Sequence, residues 1–163
     1  MVLNTINDKV IDSIKVAPEP ESMVLDKNNK LWILCSGGYT GNSLAELIVV
    51  NTATDKMEKQ FVFPSKLSYP SNLQINNTRD TVYYLDNGIR RLSIESSTLP
   101  AGPFLNTGKR SIYKLGVDKR NGRIFYTDAI DYQQKGWIFQ INSKGLAVDS
   151  CRGDIIPGSF CFK

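Results

Sequence analysis

Three aspartates are the residues of this chain best suited to chemistry. Asp86 closes the apolar run from Val82 to Leu85, Asp128 closes the run from Ile124 to Thr127, and Asp131 follows closely. Carboxylates held near one another can bind a divalent cation or divide acid and base roles between them. Aspartates at equivalent places of a repeat have a second use, accepting hydrogen bonds from backbone amides of the next turn. Cys35 takes the corresponding place in another copy and breaks the series. The remaining inventory is thin. The chain has no histidine, which removes Ser-His-Asp and Cys-His machinery and the commonest metal ligand. Cys35, Cys151 and Cys161 are odd in number and have no metal-ligand spacing, so they read as free thiols. Arg152-Gly153-Asp154 spells an adhesion tripeptide and Asn76-Asn77-Thr78 a glycosylation acceptor, but the first reads as the end of an outer strand before a turn and the second as a hairpin turn. The chain reads as non-enzymatic.

The elements that must position these residues are set by a repeat. Leu73 to Asp86 (LQINNTRDTVYYLD) is a short apolar run, a polar turn and an aromatic run ending in a carboxylate. Lys114 to Asp128 (KLGVDKRNGRIFYTD) and Ser22 to Cys35 (SMVLDKNNKLWILC) repeat it. Asn7, Asn51, Glu95 and Asn142 end one type of strand at intervals of 44, 44 and 47 residues. A period of about 40 to 50 residues filled with short strands marks a propeller blade. A second anchor agrees: Pro20, Pro70, Ile112 and Pro157 each stand six residues before Asp26, Asn76, Asp118 and Lys163.

Each period yields four strands. The inner one is small and apolar and reaches a polar turn at Asn28-Asn29, Asn77-Thr78 or Asn121-Gly122. The second (LWILC, VYYLD, IFYTD) is nearly all apolar, as suits a strand buried on both faces between neighbouring blades. The third is ELIVVN, IRRLSIE or WIFQIN, and the outer one is more polar. Gly, Asn, Thr and Pro interrupt every window before helical periodicity builds up. The sequence therefore predicts an all-β chain of four-stranded antiparallel propeller blades: a half blade at 1–16, whole blades at 17–63, 64–105 and 106–152, and a final inner strand at 153–163. Each blade needs neighbours to bury its faces. The expectation is that this is the C-terminal half of a larger ring, or that a second copy completes the ring.

Composition adds boundaries. With 163 residues, 41% of them hydrophobic and 22% charged, the chain is of ordinary globular make-up. Its 20 basic and 16 acidic residues leave a net charge of +4, and the basic residues are scattered, whereas a nucleic-acid surface would cluster them. No apolar run reaches the length of a membrane-spanning helix. The start, MVLNTINDKV, has neither the apolar stretch nor the small-residue cleavage site of an export signal. That leaves an intracellular protein, or one whose signal lies upstream.

The phrases LIVVNTATDKMEKQF and YPSNLQINNTRDTVYYLD resemble the repeat of YVTN or surface-layer type β-propellers, in which a strand ending in Val-Asn-Thr precedes a Pro-initiated inner strand and an aromatic second strand. The ending Pro-Gly-Ser-Phe-Cys-Phe is similar to that of surface propeller lipoproteins of gut Bacteroidetes, whose rings have seven blades. Ile112 where the repeat has Pro, and Gly-Ile-Arg-Arg in the third strand of blade two, depart from the pattern. The resemblance implies a cell-surface, outer-membrane protein that captures a large nutrient, such as cobalamin or another corrinoid, for a TonB-dependent transporter. The same repeat also serves protein-docking or glycan-binding scaffolds.

Propeller ligands usually lie on the face that carries the outer-to-inner and second-to-third connections. Here these are 17–22, 36–44, 64–71, 106–111 and 129–136, longer than minimal turns. Tyr39, Tyr69 and Tyr132 fall within them and offer flat amphipathic anchors to a large planar ligand. Lys66 and Arg110 would meet a phosphate or propionamide edge, and Asn42 and Gln133 would supply amide hydrogen bonds. A ligand site requires the three tyrosines to converge, whereas a scaffold leaves them packing their own loops.

Overall fold

The computed structural model describes residues 1–38 and 43–163. It contains thirteen strands and, among the described residues, no helix. Strands β1 (Val2–Asn4) and β2 (Lys9–Asp12) form a hairpin. Blade one is β3 (Pro20–Leu25), β4 (Lys30–Cys35), β5 (Glu46–Asn51) and β6 (Lys56–Val62), antiparallel in chain order. Blade two is β7 (Ser71–Ile75), β8 (Thr81–Leu85) and β9 (Ile89–Ser93). Blade three is β10 (Ile112–Val117), β11 (Ile124–Asp128), β12 (Lys135–Ile141) and β13 (Ala147–Ile155). The inner strands β3, β7 and β10 are neighbours in that order.

The second strands explain how the blades stack. Along β8, Val82 and Tyr84 enter one apolar cluster with Trp32, Leu34, Phe61 and Phe63 of blade one. Tyr83 and Leu85 enter another with Leu115, Val117 and Tyr126 of blade three. Alternate residues of a strand point to opposite faces, so a strand walled in on both sides must be apolar throughout. Within blade one Trp32 stacks on Phe61 at 6.0 Å, and Phe63 meets Tyr84 of blade two edge-on at 5.7 Å.

The inner hairpins share one fastening. Asp26, Asn76 and Asp118 follow the inner strands, and each turns its side-chain oxygen onto the turn that comes next. Asp26 Oδ1 accepts from the amides of Asn28 and Lys30 at 2.8 and 2.9 Å, while its Oδ2 accepts from the buried Trp32 indole at 2.9 Å. Asn76 Oδ1 accepts from Asp80 and Thr81, and Asp118 Oδ1 from Arg120. The Arg120 guanidinium and amide hold the Asp118 carboxyl down to about 2. In blades one and three the left-handed residue is Asn29 or Gly122, inside the expected turns; in blade two it is Arg79, one residue beyond the expected Asn77-Thr78 pair.

Two expected strands are not formed. Blade two has no fourth strand. After β9 the chain passes through 94–103 and returns only as a bridge, in which Ile89 N–H donates to Leu105 at 3.0 Å and accepts Phe104 N–H on its carbonyl at 2.8 Å. Ser, Thr, Pro and Gly fill that segment (ESSTLPAGP) and favour turns over a ladder. The final inner strand at 153–163 is also absent: β13 itself runs to Ile155, and 156–163 carry no strand. An inner strand is held by the second strand of its own hairpin, and none lies beside 157–163 among the described residues. The segment seats instead on the far face of blade three, where Phe160 and Phe162 lie 5.8 and 5.3 Å from Phe125 between ring centres.

Candidate binding cleft between blades two and three

The loops 64–71, 86–88 and 106–112 border a cleft of about 510 Å³. Tyr69 stands on its rim with 55% of its surface exposed. The 106–112 segment contributes Asn106, Thr107, Arg110 and Ser111, and Asp86 and Asn87 come from the β8–β9 turn. That turn is shaped by Gly88, whose φ is +113° and whose missing Cβ would lie 2.7 Å from the Leu105 carbonyl oxygen. A side chain there would push the third strand off the bridge that fixes the cleft wall.

The polar groups of the cleft are held by local bonds. Asn106 Oδ1 accepts the Gly108 amide at 2.9 Å. Arg110 donates to the Thr107 carbonyl at 3.3 Å and lies 4.9 Å above the Phe139 ring, an arrangement that leaves part of the guanidinium edge open. Asp86 sits against Arg90: Nη2 is 3.5 Å from Oδ2, and Nε donates to the Asp86 carbonyl at 2.8 Å. Burial raises the Asp86 carboxyl, and the Arg90 charge offsets this only in part.

The equivalent aspartate of blade three is used otherwise. Asp128 Oδ1 accepts the amides of Ser111 and Ile130 at 3.1 and 2.9 Å, and Ser111 Oγ donates to the Ile130 carbonyl at 2.7 Å. Asp131 takes the amides of Gln133 and Gln134, which hold its carboxyl below the usual range. These two acids therefore build the 129–136 loop.

Of the residues singled out from the sequence, Tyr69 and Arg110 border the same cleft. Lys66 stands exposed on the 64–71 loop outside it. Tyr132 packs edge-on against Tyr113 at 5.9 Å, and Gln133 remains in the turn closed by Asp131. Neither borders the cleft. Tyr39 and Asn42 lie outside the described residues. Sequence reading missed Asn87, Asn106 and Thr107; Gly88, beside a polar pair in a strand-strand turn, was the available signal. No group of three or more metal-ligating side chains gathers among the described residues. Cys35 is buried, which pushes its thiol up to about 11, while Cys151 and Cys161 are exposed.

No protein-family model matches the chain, and no curated protein sequence matches it. Among solved structures, the chain superposes on a quinoprotein alcohol dehydrogenase-like protein from Bacteroides thetaiotaomicron with a TM-score of 0.63 and 14% identity, over 81% of its own length. The fold is a β-propeller. The match spans only 33% of that neighbour's chain. A functionally unknown protein from Desulfotomaculum acetoxidans also superposes, with a TM-score of 0.42 and 11% identity over 80% of this chain and 55% of that one. At 14% identity the likeness to the Bacteroides protein speaks to propeller architecture and to nothing finer.

Proposed function

We propose that the chain is part of a non-enzymatic, ligand-capturing propeller of the YVTN or surface-layer kind. In this reading it completes a seven-bladed ring with further blades or a second copy, works at the outer-membrane surface, and passes a large nutrient such as a corrinoid to a TonB-dependent transporter. The observation that carries the binding reading is the cleft itself, whose border combines an exposed aromatic ring, Tyr69, with Arg110 and with amide and hydroxyl groups. A few convergent polar groups beside an apolar surface are what orients a ligand. A corrinoid would offer its amide-fringed edge to Asn87, Asn106 and Arg110.

One observation favours a second reading, a glycan. Tyr69 borders the cleft while Tyr132 is engaged by Tyr113, so the described cleft offers one ring rather than a platform. A single ring flanked by amides and hydroxyls suits a pyranose, whose apolar face stacks while its hydroxyls bond sideways.

Calorimetric titration of cyanocobalamin into the chain tests the first reading. Saturable heat that falls about tenfold in affinity in both Tyr69→Ala and Arg110→Ala is the expected result. No heat from the folded chain or from the completed ring overturns the corrinoid, and titration with a panel of soluble oligosaccharides then decides the glycan.

A further inference from the structure

Blade three departs from the repeat along its inner strand, away from the loops that border the cleft. Counting from Pro20, Pro70 and Ile112, two residues on stand Ser22, Asn72 and Lys114; four on, Val24, Gln74 and Gly116; eight on, Asn28, Thr78 and Arg120. Two of these places gain a cation in blade three, and the third loses its side chain. The loss makes room for the segment after β13, because a Cβ on Gly116 would lie 2.6 Å from the Phe160 ring.

All three departures line one cavity of about 450 Å³, which is bordered also by Asn72 and Gln74 of β7 and by Phe160 and Phe162. It shares no lining residue with the cleft that Tyr69 borders. Lys114, Lys119 and Arg120 stand there against a single acid, Asp118, and leave the lining at a net charge of +2. That acid is already engaged. Its Oδ1 accepts the Arg120 amide and Nε, both at 3.0 Å, and its Oδ2 accepts Arg120 Nη2 and Asn121 Nδ2 at 2.9 and 2.8 Å. Lys114 is half-buried with its ammonium 5.4 Å from the centre of the Tyr113 ring. Neither Lys114 nor Lys119 has an acid within ion-pair distance among the described residues. The remaining border is aromatic: Phe160 and Phe162 are half-buried, parallel to within 7° and 6.0 Å apart, and both rest on Phe125.

We propose that this cavity binds an aromatic phosphate monoester, whose phosphate meets Lys114 and the Gln74 amide while its ring lies against Phe160 and Phe162. A phosphate monoester carries about two negative charges at neutral pH, which the lining balances. Lys119 and the edge of Arg120 that Asp118 does not use add attraction from the turn end of the cavity. Ring surface beside an unpaired, half-buried cation suits a ligand that is flat and apolar at one end and anionic at the other.

The test is calorimetric titration of phenyl phosphate into the whole chain. Saturable binding with a Kd below about 1 mM is expected, with inorganic phosphate about tenfold weaker for want of the ring. Lys114→Met keeps the aliphatic stem, drops the charge and should weaken phenyl phosphate about tenfold; Lys119→Ala, at an exposed turn, should weaken it about threefold and serves in its place if Lys114→Met does not fold. Lys9→Ala, on the β1–β2 hairpin, removes the same charge elsewhere and should leave the affinity unchanged. No binding up to about 10 mM, or undiminished binding in the lysine variants of the cavity, overturns the site. An equal loss in Lys9→Ala reduces the effect to net charge and overturns it too, and inorganic phosphate binding as tightly as phenyl phosphate overturns the aromatic ligand.

Discussion

Blades two and three follow the same repeat and put an aspartate at the end of the same strand, yet they use it oppositely. Asp128 is consumed by its own loop, accepting two backbone amides. Asp86 has a side chain only 10% exposed, meets Arg90 at 3.5 Å and borders an open cleft. Blade three also carries a full set of four strands, whereas blade two stops at three. The difference teaches that a repeat transmits its strands and its core more faithfully than its loops. Where the loop is self-satisfied the blade is a support, and where it is not the blade offers a site.

The largest effect comes from the core that blade two shares with blade one. Tyr84 is 1% exposed within the blade-one cluster and meets Phe63 edge-on. Tyr84→Ala should cost about 4 kcal/mol, seen as a shift in urea midpoint with loss of the joint transition of blades one and two. Next is Asp128→Ala, which leaves the Ser111 and Ile130 amides without their acceptor and should cost about 3 kcal/mol in the same measurement. Asp86→Ala should cost well under half as much, and an equal cost would erase the distinction between the two acids. Gly88→Ala sharpens the case for blade two: a Cβ at φ +113°, 2.7 Å from a carbonyl oxygen, should cost about 2 kcal/mol and weaken any cleft ligand in proportion.

Much of the fold was legible because it rests on local rules. The second strands announced themselves by being apolar at every position, and the burial of Val82 to Leu85 on two sides bears out the reason. The inner turns were legible from Asn and Gly, apart from the shift to Arg79. The missing fourth strand of blade two was less so, since a repeat invites one to supply the absent copy, although ESSTLPAGP is turn chemistry throughout. The cleft was half legible. Loop membership places Tyr69 and Arg110 among the residues that border the cleft. It failed to separate Tyr132, because no pattern in the sequence foretells that a loop tyrosine will find Tyr113 first. Asp86 and Asp128 look alike in the sequence; only the neighbouring amides, Ser111 from the 106–112 segment and Ile130 from the loop after Asp128, tell them apart.

The smallest expected effect is also the most specific to Asp86. Its carboxyl is raised in the fold by burial, with Arg90 offsetting part of the shift. A group that holds its proton more tightly in the folded state than in the unfolded one makes folding less favourable as pH rises from the ordinary aspartate value through the raised one. Asp131 runs the other way: its lowered carboxyl gives stability that is present above the ordinary value and lost as pH falls through the lowered one. Asp86→Asn removes the first dependence and leaves the second. Urea midpoints measured from acid to neutral pH should therefore show the variant gaining on the native chain as pH climbs out of the aspartate range. A gap that stays constant across that range would mean Asp86 titrates as in the unfolded chain, and the contrast with Asp128 would then lie in hydrogen bonding alone.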